Sequence, residues 1–166
     1  MPAIVAIVGR SKTGKTTLIE KLILALKAKG YIIGTVKNTF HTVDFDKPGS
    51  DTWRHIKAGS EATVLNSAES IFMVRQKKQD YKLKDILKWF GSGYDLILLE
   101  GFKESDTPKI LIHRKAKTLP IRTLSNIQAI ATDEKLDIDI PQYSLDDISG
   151  LTDLIEKMIK RSRQSK

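Results

Sequence analysis

Apolar positions change period twice within the first 36 residues of the chain. "PAIVAIV", residues 2–8, is an unbroken apolar run, the pattern of a parallel strand covered on both faces. From Lys15 onward, Leu18, Ile19, Leu22, Ile23 and Leu26 recur at spacings of three and four, which predicts a helix with one buried stripe. Gly30 stands where a helix-ending glycine belongs. "YIIGTV", residues 31–36, restores strand character. Strand, helix and strand in so short a span predict a right-handed βαβ crossover.

The next stretch, "KNTFHTVDFDKPGS", is rich in turn formers and poorly periodic, so it reads as a loop of functional length. Ser50 or Asp51 can cap a short helix, "DTWRHIKAG", closed by Gly59. "EATVLNS" and "SIFMVRQ" read as strands, and "LKDILKWFG" as a helix ending on glycine. "YDLILLEG" is a second buried strand, followed by strands at "KILIHR" and "IQAIATD" and a helix over "DDISGLTDLIEKMIKR". No internal repeat or linker interrupts the series. Strands alternating with helices predict a single three-layer α/β domain over residues 1–166, with a mostly parallel central sheet, helices on both faces and a frayed basic tail. The order of strands after Gly59 stays open at this level.

Composition narrows the classes. The chain has no cysteine, which excludes disulfides and thiolate metal sites and fits a reducing compartment. No apolar run reaches the roughly 20 residues a membrane-spanning helix needs. "MPAIVAIVG" lacks the basic n-region of a signal peptide, so a cytoplasmic protein without a membrane partner is expected. The formal net charge of +8 favours polyanionic ligands. The basic residues are scattered and not interleaved with aromatics, so nucleic acid is not the expected partner.

The turn between the first strand and helix carries the chemistry. In "GRSKTGKTT", Gly9 is followed by Arg10, Ser11, Lys12 and Thr13, then by Gly14, Lys15, Thr16 and Thr17, matching the pattern G-x-x-x-x-G-K-[ST] of a phosphate-binding loop. Glycines let backbone N–H groups turn inward around a phosphate, and the following helix presents its positive end. Lys15 is placed to reach the β- and γ-phosphates of a nucleoside triphosphate, and the Thr16 hydroxyl to ligate Mg2+. The fold expected is therefore P-loop NTPase-like. Its partner motif is an apolar strand ending in an acid, and "LILLEG" places Glu100 there, to hold Mg2+ or else simply to face solvent.

Other candidates are less specific. Lys37 ends the second strand at the same sheet edge and can neutralise γ-phosphate charge. Asp44, Asp46 and Asp51 lie in or just after the long loop; Asp51 is placed either to touch Mg2+ and orient water or to cap a helix. His41 is a possible phosphate or substrate contact, while His55 and His113 read as ordinary and Asp95 as structural. No two histidines have zinc-ligand spacing, and no G-x-S-x-G nucleophile motif occurs. The tetrapeptide N-K-x-D of guanine-selective GTPases is absent. Asp133, after a late strand, is the candidate base reader for guanine N1 and N2, with a plain turn or cap as the alternative.

Taken in order, "GRSKTGKTTL", "GTVKN", "DFDKPGSDTWRHIKAG", "DLILLEGFK" and "PKILIHR" resemble the molybdopterin-guanine dinucleotide biosynthesis protein B family, MobB, from residue 3 to about residue 133. The resemblance implies a cytoplasmic, homodimeric GTP-binding protein with at most weak Mg2+-dependent GTPase activity. It implies assistance to the partner protein A of molybdopterin-guanine dinucleotide biosynthesis. On matching positions, Gly9 to Thr17 would hold phosphates, Thr16 and Glu100 would serve Mg2+, and Lys37 and Asp51 would line the site. One departure stands out: many members carry histidines shortly after the strand-ending lysine, where this chain has Asn38, Thr39 and Phe40 before His41. The competing reading is an ATP-dependent small-molecule kinase built on the same loop, although no arginine-rich lid is present.

Overall fold

The first apolar run becomes a central strand. The computed structural model describes residues 1–43, 46–77 and 79–164. Its elements are β1 (Ala3–Gly9), α1 (Lys15–Ala28), β2 (Ile33–Lys37), α2 (Asp51–Lys57), β3 (Ala62–Asn66), β4 (Ile71–Arg75), α3 (Leu83–Leu87), β5 (Leu96–Glu100), β6 (Lys109–His113), β7 (Ile127–Thr132), β8 (Gln142–Ser144) and α4 (Ile148–Gln164). Two single 3-10 turns, Lys88–Phe90 and Ile121–Thr123, complete the list. The chain divides into two compact units, Met1–Thr39 with Leu87–Lys166, and Phe40–Ile86.

In the larger unit six strands pair in the order β2-β5-β1-β6-β7-β8. Every pairing is parallel. The mostly parallel sheet with helices predicted above is thus the fold. β1 and β2 do not pair, however: β5 lies between them, with Val5 opposite Leu98 on one side and Thr35 opposite Leu98 on the other. β1 and β5 are buried along nearly their whole length, as their unbroken apolar runs require of strands covered on both faces. β8 was not predicted; at three residues, Gln142–Ser144 is too short to show a period of two.

Helices α1 and α4 lie over one face. Leu18, Ile19, Leu22 and Leu26 of α1 pack with Leu151, Ile155 and Ile159 of α4 onto Val5, Ile7, Leu98 and Ile112. Leu22, Leu26, Leu151, Ile155 and Ile159 have no exposed surface, and burial of each such side chain contributes roughly 1.5–3 kcal/mol. α1 ends as its glycine predicts: Tyr31 N–H donates to Leu26 O at 3.2 Å and Gly30 N–H to Lys27 O at 2.9 Å, with Gly30 at φ 86°, a Schellman close. The opposite face is met at the β2 edge by the 3-10 turn. A Cβ on the buried Gly34 would stand 2.6 Å from the Phe90 ring, so glycine is what lets Phe90 approach the strand this closely. α4 runs to Gln164 and takes in most of the basic C-terminal segment; Ser165 and Lys166 lie outside the described residues.

The smaller unit holds α2 and the antiparallel pair β3–β4, with Val64 opposite Met73. Its turn is closed by Ser67 and Ser70, whose backbone groups bond each other and the Ser67 hydroxyl. Val64, Leu65, Ile71, Phe72 and Met73 are exposed on this hairpin.

Candidate functional site

The loop after β1 is shaped by its glycines. A Cβ on Gly9 would stand 2.6 Å from the Ile112 carbonyl oxygen and 2.9 Å from Thr13 Oγ1, so only glycine lets the loop turn this close to β6. Gly14 at φ 98° and Lys12 at φ 60° reverse the backbone between them, the alternation that aims successive N–H groups into one concavity. The buried Thr13 hydroxyl donates to Arg10 O at 2.9 Å and closes the turn from within. Helix α1 then starts at Lys15, with no side-chain cap and no acidic residue in its first turn. Its leading N–H groups and positive dipole end are therefore open to an anion.

Side chains around this opening complete a charge pattern. Lys15 Nζ donates to Arg10 O at 2.9 Å and reaches Gly9 O at 3.5 Å, folded across the loop it closes. Burial, opposed by Glu100 and reinforced by Lys103 and Lys37, holds its ammonium below the usual lysine range. A partly desolvated cation of this kind gains from a charge-assisted contact with a phosphate oxygen. Thr16 Oγ1 lies 3.1 and 3.2 Å from the two carboxylate oxygens of Glu100, and Lys37 Nζ lies 3.4 Å from Glu100 Oε1. The register Lys37 opposite Glu100 and Ile7 opposite Glu100 puts all three at one sheet edge. Sequence-predicted Lys15, Thr16, Lys37 and Glu100 thus form one cluster.

A hydroxyl and a carboxylate side by side suit a hard divalent cation such as Mg2+, which takes few protein oxygens and completes its shell with phosphate and water. Among the described residues no group of three or more His, Cys, Asp or Glu side chains is placed to hold a metal by itself. Thr16 and Glu100 would accordingly hold the ion together with a nucleotide.

The remaining loop residues fall on two sides. Arg10 and Ser11 border a shallow cavity of about 450 Å³ with Lys103, Ala116, Lys117 and Thr118. Thr13, Gly14 and Thr17 border a second cavity of about 260 Å³, shared with Lys21, Arg114, Asp133, Leu145 and Asp146. Asp133 is tied into its own surroundings: Oδ1 accepts the Lys115 N–H at 2.8 Å and Oδ2 lies 3.6 Å from Arg114 Nη1. That backbone N–H, with the charges of Arg114 and His113, holds its carboxyl below the ordinary range. Arg114 Nε in turn donates to Thr13 O at 3.2 Å.

Asp51 belongs to the smaller unit. It occupies the first turn of α2, 3.9 Å from Arg54 Nη1. The cap is Ser50, whose Oγ accepts the Trp53 N–H at 3.2 Å. Asp46 accepts from Lys47 N–H and from the Ser50 and Thr52 hydroxyls, which folds the loop onto that helix start; Asp44 lies outside the described residues. Asp95 is structural, accepting Ile32 N–H at 2.8 Å and Arg163 at 2.5 Å. His113 is buried at a strand end, 2.8 Å from Glu134 Oε1.

Sequence reasoning missed Lys103 and Arg114, which reach the loop from distant segments, and Lys21, which stands in the helix that follows it. Only the "EGFK" stretch hinted at the first. It also missed Lys109, fully buried, whose Nζ donates to the Ser105 and Thr107 carbonyl oxygens.

Comparison with known proteins places this geometry in context. Residues 4–133 match the model of the family described as Molybdopterin guanine dinucleotide synthesis protein B. The chain is similar to the molybdopterin-guanine dinucleotide biosynthesis adapter protein of Haemophilus influenzae, 34% identical over 158 residues, covering 94% of this chain and 89% of the relative. It is similar to the Escherichia coli protein of the same name, 33% identical and covering 97% and 95% of the two chains. A solved structure described as molybdopterin-guanine biosynthesis protein B superposes with a TM-score of 0.77 at 25% identity, covering 95% of this chain and 99% of that one.

Proposed function

The chain belongs to the molybdopterin guanine dinucleotide synthesis protein B family, and from that premise we propose that it is a GTP-binding adapter in the biosynthesis of molybdopterin guanine dinucleotide. The relatives named as adapters of this pathway support the pathway assignment. The nucleotide assignment is carried by one observation, the meeting of Thr16 with Glu100 beside the open start of α1. In this reading, backbone N–H groups from Gly9 to Thr17 bind the phosphates, Lys15 leaves its carbonyl partners for the β- and γ-phosphate oxygens, and Lys37 offsets γ-phosphate charge. Bound Mg2+ would supply charge neutralisation between those phosphates.

Hydrolysis in this reading is slow. Lysines and a metal position the phosphates, but no side chain at the cluster is assigned to orient a water, and no arginine is assigned to the leaving oxygen. The protein acts chiefly by holding nucleotide for the partner protein A of the same pathway, in the cytoplasm. It does so as a homodimer; the exposed apolar side chains of β3–β4, among them Ile71 and Phe72, support self-association.

The test is a titration of fluorescent GTP and ATP analogues into purified protein, with Mg2+ and with chelator. Saturable, Mg2+-enhanced binding that prefers GTP is expected. Preference for ATP with rapid phosphorylation of a metabolite would instead identify the kinase reading.

A further inference from the structure

The cavity beside Thr17 has a chemistry of its own. It starts at Thr13, Gly14 and Thr17, residues of the phosphate loop itself, and continues along α1 past Leu18 and Lys21 to the turn Ser144–Asp146. The cavity on the loop's other flank is bordered by Arg10, Lys103 and Lys117 and is cationic, suited to phosphate and not to a heterocycle. Leu18, Ile112 and Leu145 give the first cavity apolar surface, and its rim carries two carboxylates.

These carboxylates differ. Both oxygens of Asp133 face groups at the end of the neighbouring strand β6, Lys115 N–H and the Arg114 guanidinium. Asp146 is held at Oδ1 by Lys21 Nζ, 2.9 Å away, while its Oδ2 has no hydrogen bond among the described residues. The Asp146 backbone is steadied in turn: its N–H reaches Ser144 Oγ at 3.4 Å, and the next residue's N–H donates to Ser144 O at 3.0 Å. A carboxylate aimed by a lysine on one oxygen and open on the other remains an acceptor for two further N–H groups.

We propose that this cavity seats the purine base of the nucleotide and that Asp146, positioned by Lys21, reads guanine through its N1–H and N2–H groups. The proposal rests on the phosphate-cradle reading above. Guanine offers two adjacent donors to the carboxylate edge. Adenine offers a single donor, N6–H2, beside a lone pair at N1 that faces an ionised carboxylate unfavourably. A bidentate contact of this kind discriminates between bases by roughly 1–3 kcal/mol, about five- to 150-fold.

The experiment is a titration of GTP, ATP and xanthosine triphosphate against wild type, Asp146→Asn, Asp133→Asn and Lys15→Ala, with thermal melting as the folding control. Asp146→Asn is expected to weaken GTP roughly ten- to hundredfold and to strengthen xanthosine triphosphate, because an amide N–H2 can donate to the xanthine C2 oxygen. That gain cannot come from misfolding. Unchanged nucleotide ratios in Asp146→Asn, a proportional loss for all three nucleotides, a wild-type preference for ATP, or a switch carried by Asp133→Asn would each overturn the assignment to Asp146. In all four cases the cradle reading survives if Lys15→Ala abolishes binding. If Lys15→Ala binds as wild type does, the cradle reading itself fails, and the base assignment with it.

Discussion

The Thr16 hydroxyl and the Glu100 carboxylate stand 3.1 Å apart although 84 residues separate them along the chain. Strand β5, inserted between β1 and β2, delivers Glu100 to the sheet edge from which α1 departs. The acid therefore stands where the helix begins, beside Lys37 and within the field of Lys15.

Removing the Glu100 charge separates metal from phosphate binding. Glu100→Gln keeps the size of the side chain and an acceptor for the Thr16 hydroxyl but weakens its claim on Mg2+. GTP affinity measured with Mg2+ is expected to fall about tenfold, a loss of about 1.4 kcal/mol, while affinity in chelator stays as in wild type. An equal loss under both conditions would contradict the metal role.

Lys15→Ala is expected to weaken nucleotide binding by at least about thirtyfold, the lower end of what losing one partner of a desolvated charge pair costs. Stability without nucleotide should not fall. Folding lowers the Lys15 pKa, chiefly through burial, so the protonated form is a cost to the folded state at neutral pH and the cost disappears as pH rises above the ordinary value of 10.5. Melting temperatures of the two proteins without nucleotide, compared at pH 7 and near pH 10, check the sign: wild type should gain on the variant as pH rises.

Asp95 ties the start of β2 to the end of α4, and its carboxyl is held below the ordinary value of 3.8 by the Ile32 N–H and by Arg163. A depressed acid stabilises the folded state above its ordinary pKa, and that contribution is lost as pH falls through the folded-state value. Asp95→Asn should destabilise the protein by about 1 kcal/mol at pH 7 in urea unfolding. The gap between variant and wild type should narrow below pH 3.8.

Thr152 lies buried in α4 at 2% exposure, and its Oγ1 has no hydrogen-bond partner among the described residues. Thr152→Val keeps the branched shape and removes the unsatisfied hydroxyl. Urea unfolding should show a gain of up to about 1 kcal/mol with an unchanged slope; a loss would mean that the hydroxyl is satisfied after all.

Much of this was legible before any coordinates. The stripe Leu18, Ile19, Leu22 and Leu26 became the buried face of α1, and "LILLE" became a strand buried on both sides. β8 escaped notice because three residues show no period, and the choice between Ser50 and Asp51 as cap needed the position of the Trp53 N–H. Nothing in the strand pattern of "KILIHR" marked Lys109 as buried; the carbonyls of Ser105 and Thr107, which accept from its ammonium, allow it to be.

Taken alone, the residues determined the glycine-shaped loop after the first strand, the amphipathic helix behind it and the two strands that cross the core. Those features are set within a few turns of chain, by φ angles that glycine permits and by the period of apolar side chains. Tertiary structure alone decided that β5 separates β1 from β2, that Glu100 meets Thr16, and that Lys21 holds Asp146 from 125 positions away. Periodicity states which face of an element is buried but not which element covers it. That choice comes from packing between segments distant in sequence, where the contact energy resides in pairs of side chains and not in either one.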